Sequence, residues 1–343
     1  MLKATVFIFI ILVNCIGEVS AQKADPLFET EIPLQIALTF SIREVAKTKQ
    51  DSIYLPNRLY FQSAAGKTDS IKVSLKSRGN YRLQECYFPP LWIKLDKKDK
   101  RENIFTGNKK LKLVLPCRQG TINNTLVIKE YLCYQLYELI SPYAFKTRLV
   151  NIDFTEVRNK HPRHYELKGI LVEDLEKTAK RLHAKEREGI KISPLSMQDT
   201  AALRFSLFQY MISNTDLSMA YQHNTKLVQL ADGAYLSVPY DFDMSGLVDA
   251  PYAVVSQVNG VQLDAQTVRE RVYRGWCSSP ELTEFVRNEF IGKQAELLSE
   301  ADKLKGELNE KEIIEIKAYL AEFFAVIKDD QLFKTRIIDQ CRK

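Results

Sequence analysis

The chain is short of glycine, with 13 among 343 residues, and none of them forms G-x-G-x-x-G or G-x-x-x-x-G-K-[ST]. The phosphate loops of ordinary protein kinases and of P-loop enzymes are therefore excluded. Histidine is scarcer still: His161, His164, His183 and His223 are all there are, no H-E-x-x-H occurs, and no serine sits in G-x-S-x-G. Zinc-protease and serine-hydrolase chemistry lack their sequence signatures. Neither sign of charge forms a long run. Lys and Arg number 49 against 43 Asp and Glu, a net charge of +6, and so dispersed a surplus outlines no nucleic-acid stripe. What is present is a 45% hydrophobic chain, enough for a sizeable core and, at this length, about two structural units.

The longest apolar run lies at the start. Lys3 gives a positive head, Thr5 to Ile16 is almost uninterrupted apolar sequence, and Val19-Ser20-Ala21 offers small residues for cleavage. The pattern predicts a signal peptide over residues 1–21, cut after Ala21, and a mature chain that is secreted, periplasmic or held in the cell envelope. The run falls short of the roughly 20 apolar residues of a membrane span, and Asn14 is a poor neighbour for a lipidated Cys15. No transmembrane segment is expected after signal removal. Five cysteines remain, Cys86, Cys117, Cys133, Cys277 and Cys341, too widely spaced for a zinc knuckle. In an oxidising compartment Cys86 with Cys117 and Cys277 with Cys341 are the expected bridges. Cys133, inside an apolar helical pattern, is expected as a buried small hydrophobe.

From Ile32 to Cys117 the sequence alternates. Leu34 to Phe40, Ile71 to Leu75, Leu91 to Leu95 and Leu111 to Leu115 each read apolar at every second residue, which predicts strands of a twisted antiparallel sheet. The spacing then changes to helical over Thr125 to Ile140, with Pro142 as the stop. Leu149 to Phe154 and Leu167 to Val172 read as a hairpin, Asp174 to Glu188 and Asp199 to Ile212 as helices, Ser213 to Pro251 as loops around two short strands, and Pro280 to Ile338 as a helical tail. Strands in front and helices behind make an α+β pattern, with the junction as the natural cleft.

The densest polar cluster is Asn214-Thr215-Asp216, then His223-Asn224, then Asp241-Phe242-Asp243. It gathers three carboxylates and two amides between a strong helix and a pair of short strands. In extended geometry Asp241 and Asp243 would face the same way, an arrangement suited to a hard divalent cation. Asn224 would add a neutral oxygen, and Asp216 would orient or deprotonate a hydroxyl. Taken singly, Asn214 and Asp216 read as turn caps, Asp243 as a helix cap and His223 as a structural histidine.

In order, Arg78-Gly79-Asn80, the aromatic strand Trp92-Ile93-Lys94-Leu95, the helix around Glu130, the Asn214-Thr215-Asp216 loop, His223-Asn224 and Asp241-Phe242-Asp243 resemble the spore-coat CotH-type atypical kinases, over roughly Ile32 to Pro251. The resemblance implies a bilobal protein-kinase-like fold, with a β-rich N-terminal lobe over 22–145 and a mainly helical C-terminal lobe over 146–343. It implies ATP with Mg²⁺ or Mn²⁺ between the lobes and transfer of the γ-phosphoryl group to a hydroxyl of a protein substrate. Asp216 would be the catalytic aspartate, Asn224 and Asp241 the metal ligands, and Asp243 a further or outer ligand. Glu130 would orient a phosphate-binding lysine, or else sit on a solvated helix surface. Lys94 and Lys112 are both candidates for that lysine, and Arg78 next to Gly79 could approach a phosphate. The sequence ahead of the aromatic strand, Cys86 to Leu91, departs from the family by lacking basic residues. That departure suits the alternative of a non-catalytic, pseudokinase-like envelope or surface binding protein.

Overall fold

The computed structural model describes residues 25–343 apart from 52, 64–65, 80, 97, 99–100 and 257–262. The expected signal peptide, Cys15 and Asn80 lie outside the described residues.

Among the described residues the front of the chain supplies β1 (Leu34–Phe40), α1 (Ile42–Asp51), β2 (Leu55–Gln62), β3 (Thr68–Ser77), α2 (Tyr81–Glu85), β4 (Leu91–Leu95), β5 (Lys110–Val114) and α3 (Thr121–Ile140). The hairpin follows as β6 (Thr147–Glu156) and β7 (Arg163–Val172). Seven strands close into a barrel in the order β1-β2-β3-β4-β5-β7-β6. Closure comes from β6 lying parallel to β1, with every residue from Leu34 to Phe40 paired to its partner from Val150 to Glu156. Alternation fills the interior: Leu38, Leu75, Leu91, Ile93, Leu111 and Leu171 are buried there. The outward residues of the same strands, Leu149, Ile170 and Val172, pack instead with α3 and the helices behind it.

The expectation of a bilobal protein-kinase-like fold is overturned by this barrel. The hairpin that the sequence assigned to the helical half completes the sheet of the front half. Its alternation shows a strand pair, yet nothing in it reveals which strand its free edge will meet. The sheet is also mixed rather than purely antiparallel. Strand β2 was not foreseen because its burial is confined to a few inward residues such as Leu59 and Phe61, between exposed polar ones.

Behind the barrel come α4 (Leu175–Arg181), β8 (Lys185–Glu186), α5 (Asp199–Met211), β9 (Thr225–Gln229) and β10 (Tyr235–Pro239), then α6 (Pro280–Gly292), α7 (Gln294–Ser299), α8 (Glu310–Lys328) and α9 (Asp330–Phe333). Strands β10, β9 and β8 form a small second sheet. The helix expected over 174–188 stops at Arg181, His183 takes a positive φ of 52°, and β8 follows. The stripes of α5, α6 and α8 meet through Phe208, Phe290, Phe323 and Phe324, all fully buried. Among the described residues no helix is long and apolar enough to cross a membrane. Cys86 is bonded to Cys117 and Cys277 to Cys341, while Cys133 is free and buried.

Candidate functional site

A cavity of about 370 Å³ opens where the outer face of β4 and β5 meets the loops around β9 and β10. Arg78, Lys112, Asp216, Asn224, Asp241 and Asp243 all line it, as do Arg82, Trp92, His223 and Lys226. Six of the eight residues singled out from the sequence therefore come together, from segments up to 165 positions apart. Lys94 and Glu130 do not line it.

Strand geometry decides between the two lysines. Trp92 and Lys112 are direct cross-strand partners, and Lys94 stands opposite Lys110 one step further along the same face. That step carries Lys94 out to solvent, where its Nζ lies 5.4 Å from the centre of the Tyr54 ring. Lys112 is only 3% exposed. Its Nζ lies 3.9 Å from the Tyr240 ring centre, 4.9 Å from Phe145 and 5.6 Å from Trp92, and it has no hydrogen-bond acceptor among the described residues. Burial, reinforced by the like charges of Arg78 and Lys226, drives its pKa well below the ordinary lysine value.

The carboxylate–amide loop begins after α5. The Asn214 side chain accepts the Asp216 N–H at 3.0 Å, so the turn-capping reading of Asn214 holds and fixes the start of the loop. Paired backbone bonds between Ser218 and His223 close it. His223 Nε2 then lies 2.9 Å from Asp216 Oδ1, and Asn224 Nδ2 donates to Asp216 Oδ2 at 2.9 Å. The hydrogen bond with Asp216 raises the proton affinity of the imidazole above its ordinary value, against the effect of partial burial. His223 is thus a partner of the site rather than a remote structural residue.

Phe242 is the peg for the second loop. Its ring is fully buried against Tyr134 and Phe208, with centroids 4.8 and 5.6 Å away. The backbone before it is bent, with Asp241 at φ 65° and its N–H donating to the Tyr134 hydroxyl at 2.9 Å. The extended Asp241-Phe242-Asp243 geometry expected from the sequence is therefore not adopted. Gln222 and Asn224 also have positive φ, a backbone state that non-glycine residues take up at a cost and that concentrates at functional sites.

The two aspartates have different surroundings. Asp241 faces the cavity, and its carboxylate accepts no hydrogen bond among the described residues. Asp243 is buried, accepts the Tyr252 hydroxyl at 3.1 Å and lies 3.8 Å from Arg82 Nε. Burial pushes its carboxyl up to about 6, with Arg82 opposing. Glu130, 1% exposed on α3, is not on a solvated surface, and among the described residues no ion pair joins it to a lysine. The cation it meets is Arg82, at 4.0 Å. Its pKa is raised well above the ordinary carboxylate value by burial and by Asp243. Arg82 and Lys226 are lining residues that the sequence did not flag, and Arg82 is the one joined to both carboxylates. It comes from the short helix α2, donates to the Leu115 carbonyl, and is stapled in place by the neighbouring Cys86–Cys117 bond. Nothing in residue order marks it, because its partners are 48 and 161 positions away.

Two features of the lining bear on ligands. Among the described residues, nitrogen atoms of Arg78, Arg82 and Lys112 are buried without a hydrogen-bond partner, which fits an anion with several oxygens. For a cation the available donors are the Asp241 carboxylate and Asn224 Oδ1, the amide nitrogen of Asn224 being committed to Asp216. Among the described residues no three His, Cys, Asp or Glu side chains converge as a metal-binding group. No protein-family model matches the chain, and no curated protein matches it either.

Proposed function

We propose that the protein is a CotH-like ATP-dependent phosphotransferase acting on a protein hydroxyl from a barrel scaffold. The observation that carries this reading is that, among the described residues, Arg78 Nε and Lys112 Nζ are buried without acceptors, in the same cavity as an anchored aspartate. Buried donors left unpaired are costly, and a polyphosphate supplies the acceptors they lack. Phosphoryl transfer asks the protein mainly for charge and alignment, and both are available here.

In this reading Lys112 and Arg78 bind phosphate oxygens, while Arg82 is held between Asp243 and Glu130 at the cavity floor. Mg²⁺ or Mn²⁺ entering with ATP would be held by Asp241 and Asn224 and would neutralise phosphate charge. Asp243, committed to Tyr252 and Arg82, serves as a support rather than a ligand. Asp216, oriented by His223 and Asn224, accepts the proton of the acceptor hydroxyl. The hydroxyl oxygen forms its bond to the γ-phosphorus as the bridging bond to ADP breaks.

A second reading is a binding protein that holds a phosphate-bearing ligand without turnover. It is favoured by both carboxylate oxygens of Asp216 already being hydrogen-bonded, Oδ1 to His223 and Oδ2 to Asn224, so that neither is without a partner when a hydroxyl arrives. Melting curves of residues 22–343 with ATP and Mn²⁺, beside Asp241→Ala and Asp216→Asn, test both. A shift of several degrees in the parent that is lost in Asp241→Ala, together with phosphate transfer lost in Asp216→Asn, supports the enzyme. A shift without transfer supports the binding protein, and a cooperative melt without any shift removes both.

A further inference from the structure

We infer that a second, smaller pocket beside the Asp216 loop is an acceptor subsite that takes a carboxylate side chain from an acidic protein segment flanking the target hydroxyl. The inference rests on reading Asp216 as the base of the phosphotransferase. One loop walls both cavities. Asp216, Gln222, His223 and Asn224 line the first, whereas Leu217 to Tyr221 line the second together with Arg274, Trp276 and Arg342. A chain entering the second pocket therefore lies against the loop that carries the base.

Size and charge identify the occupant. The pocket holds about 180 Å³, below the roughly 300 Å³ at which small-molecule sites begin, and is suited to one side chain. Its charged lining residues are two arginines, with no acidic residue among them. A third cation, Lys191, sits 5.4 Å from the ring centre of the exposed Tyr221 at the rim. Arg274 donates to the Thr215 carbonyl, yet among the described residues its buried Nε has no acceptor. Among the described residues the Arg342 guanidinium has no hydrogen bond and no ion pair. Burial and the like charge of Arg342 together bring Arg274 down to about 10, against the pull of Asp216. Two guanidinium groups without a carboxylate form an incomplete ion-pair site, and a carboxylate binding both would gain charge-assisted hydrogen bonds.

Arg342 is also deliberately held. Its N–H donates to the Gly275 carbonyl and its carbonyl accepts the Cys277 N–H, each at 2.9 Å. The Cys277–Cys341 bond fastens the same segment next to Trp276. A side chain near the end of the chain is thereby fixed at the pocket rather than left to solvent, which lowers the ordering cost of binding.

The two tryptophans of the chain provide the test, because Trp92 lines the first cavity and Trp276 the second. In full-length Trp92→Phe protein, a short peptide with one serine followed by glutamates should change Trp276 emission, and its glutamine counterpart should not. Arg342→Glu should weaken the acidic peptide by about tenfold or more, and Arg342→Lys should retain most of the affinity. In Trp276→Phe protein the peptide should be silent, while ATP with Mn²⁺ still perturbs Trp92. Equal binding of the two peptides, or an affinity untouched by Arg342→Glu, overturns the subsite even if phosphoryl transfer is intact. Charge-selective binding without any phosphoryl transfer overturns the acceptor role together with the phosphotransferase reading, while the carboxylate site itself stands.

Discussion

Lys112 shows what the site costs the fold. A lysine ammonium enclosed by Tyr240, Phe145 and Trp92, with no acceptor among the described residues, is a buried charge set against aromatic faces. Its pKa in the folded chain lies below that in the unfolded chain, so its contribution to stability is complete above the unfolded value of 10.5 and is lost as pH falls through the lowered one. Near neutral pH the residue therefore opposes folding. Lys112→Met keeps the stem and removes the ammonium. It is expected to stabilise the protein without ligand by about 1–3 kcal/mol and to flatten the pH dependence below 10.5, while abolishing the response to ATP. Urea melts at several pH values, with and without nucleotide, check both halves. A variant that is less stable at neutral pH and still binds ATP would show that Lys112 is a structural residue.

At the scale of elements, the site depends on two loops being held in register. Gly246 N–H donates to the Ser213 carbonyl and Leu247 N–H to the Ile212 carbonyl, each at 3.0 Å, which ties the Asp243 turn to the end of α5. The Ser213 hydroxyl reaches on to the Val268 and Glu270 carbonyls at 2.8 and 3.0 Å. A Cβ on Gly246 would stand 2.4 Å from the Val268 carbonyl oxygen and 2.8 Å from Arg269 Cα, both backbone atoms that cannot swing aside. Gly246→Ala is expected to cost about 1–3 kcal/mol, and to weaken nucleotide binding although it touches no cavity residue. Denaturant unfolding and the ATP-dependent melting shift measure the two effects. Residue order did reveal that Asp216, Asn224 and Asp241 belong to one place, because a short hairpin and its flanking loops keep them within 26 positions of each other. It did not reveal the strained backbone at Asp241 and Asn224. The Asp241 value accompanies the seating of Phe242 and the bond to the Tyr134 hydroxyl, and the Asn224 value accompanies its side-chain bonds to Asp216, contacts that residue order does not show.

The whole molecule is where local pattern said least. Six of the seven barrel strands were visible as alternation, and both disulfides joined the expected cysteines, yet the division into lobes at residues 145 and 146 falls inside the barrel. Strands β6 and β7 contribute Val150, Ile152, Phe154 and Leu171 to the barrel interior and Leu149, Ile170 and Val172 to the helical core outside. One hairpin thus belongs to both cores, which couples their unfolding. A fragment of residues 25–145 would leave β1 and β5 with open edges and the barrel interior missing those four side chains and that of Leu167. Exposed edges of this kind promote aggregation. The fragment is therefore expected to show no cooperative melt by circular dichroism. The chain of residues 22–343 is expected to unfold in a single transition with matching calorimetric and van't Hoff enthalpies. A fragment that melts cooperatively, or a parent with two separate transitions, would mean that the front sheet is stable without the hairpin and that the barrel is not the unit of folding.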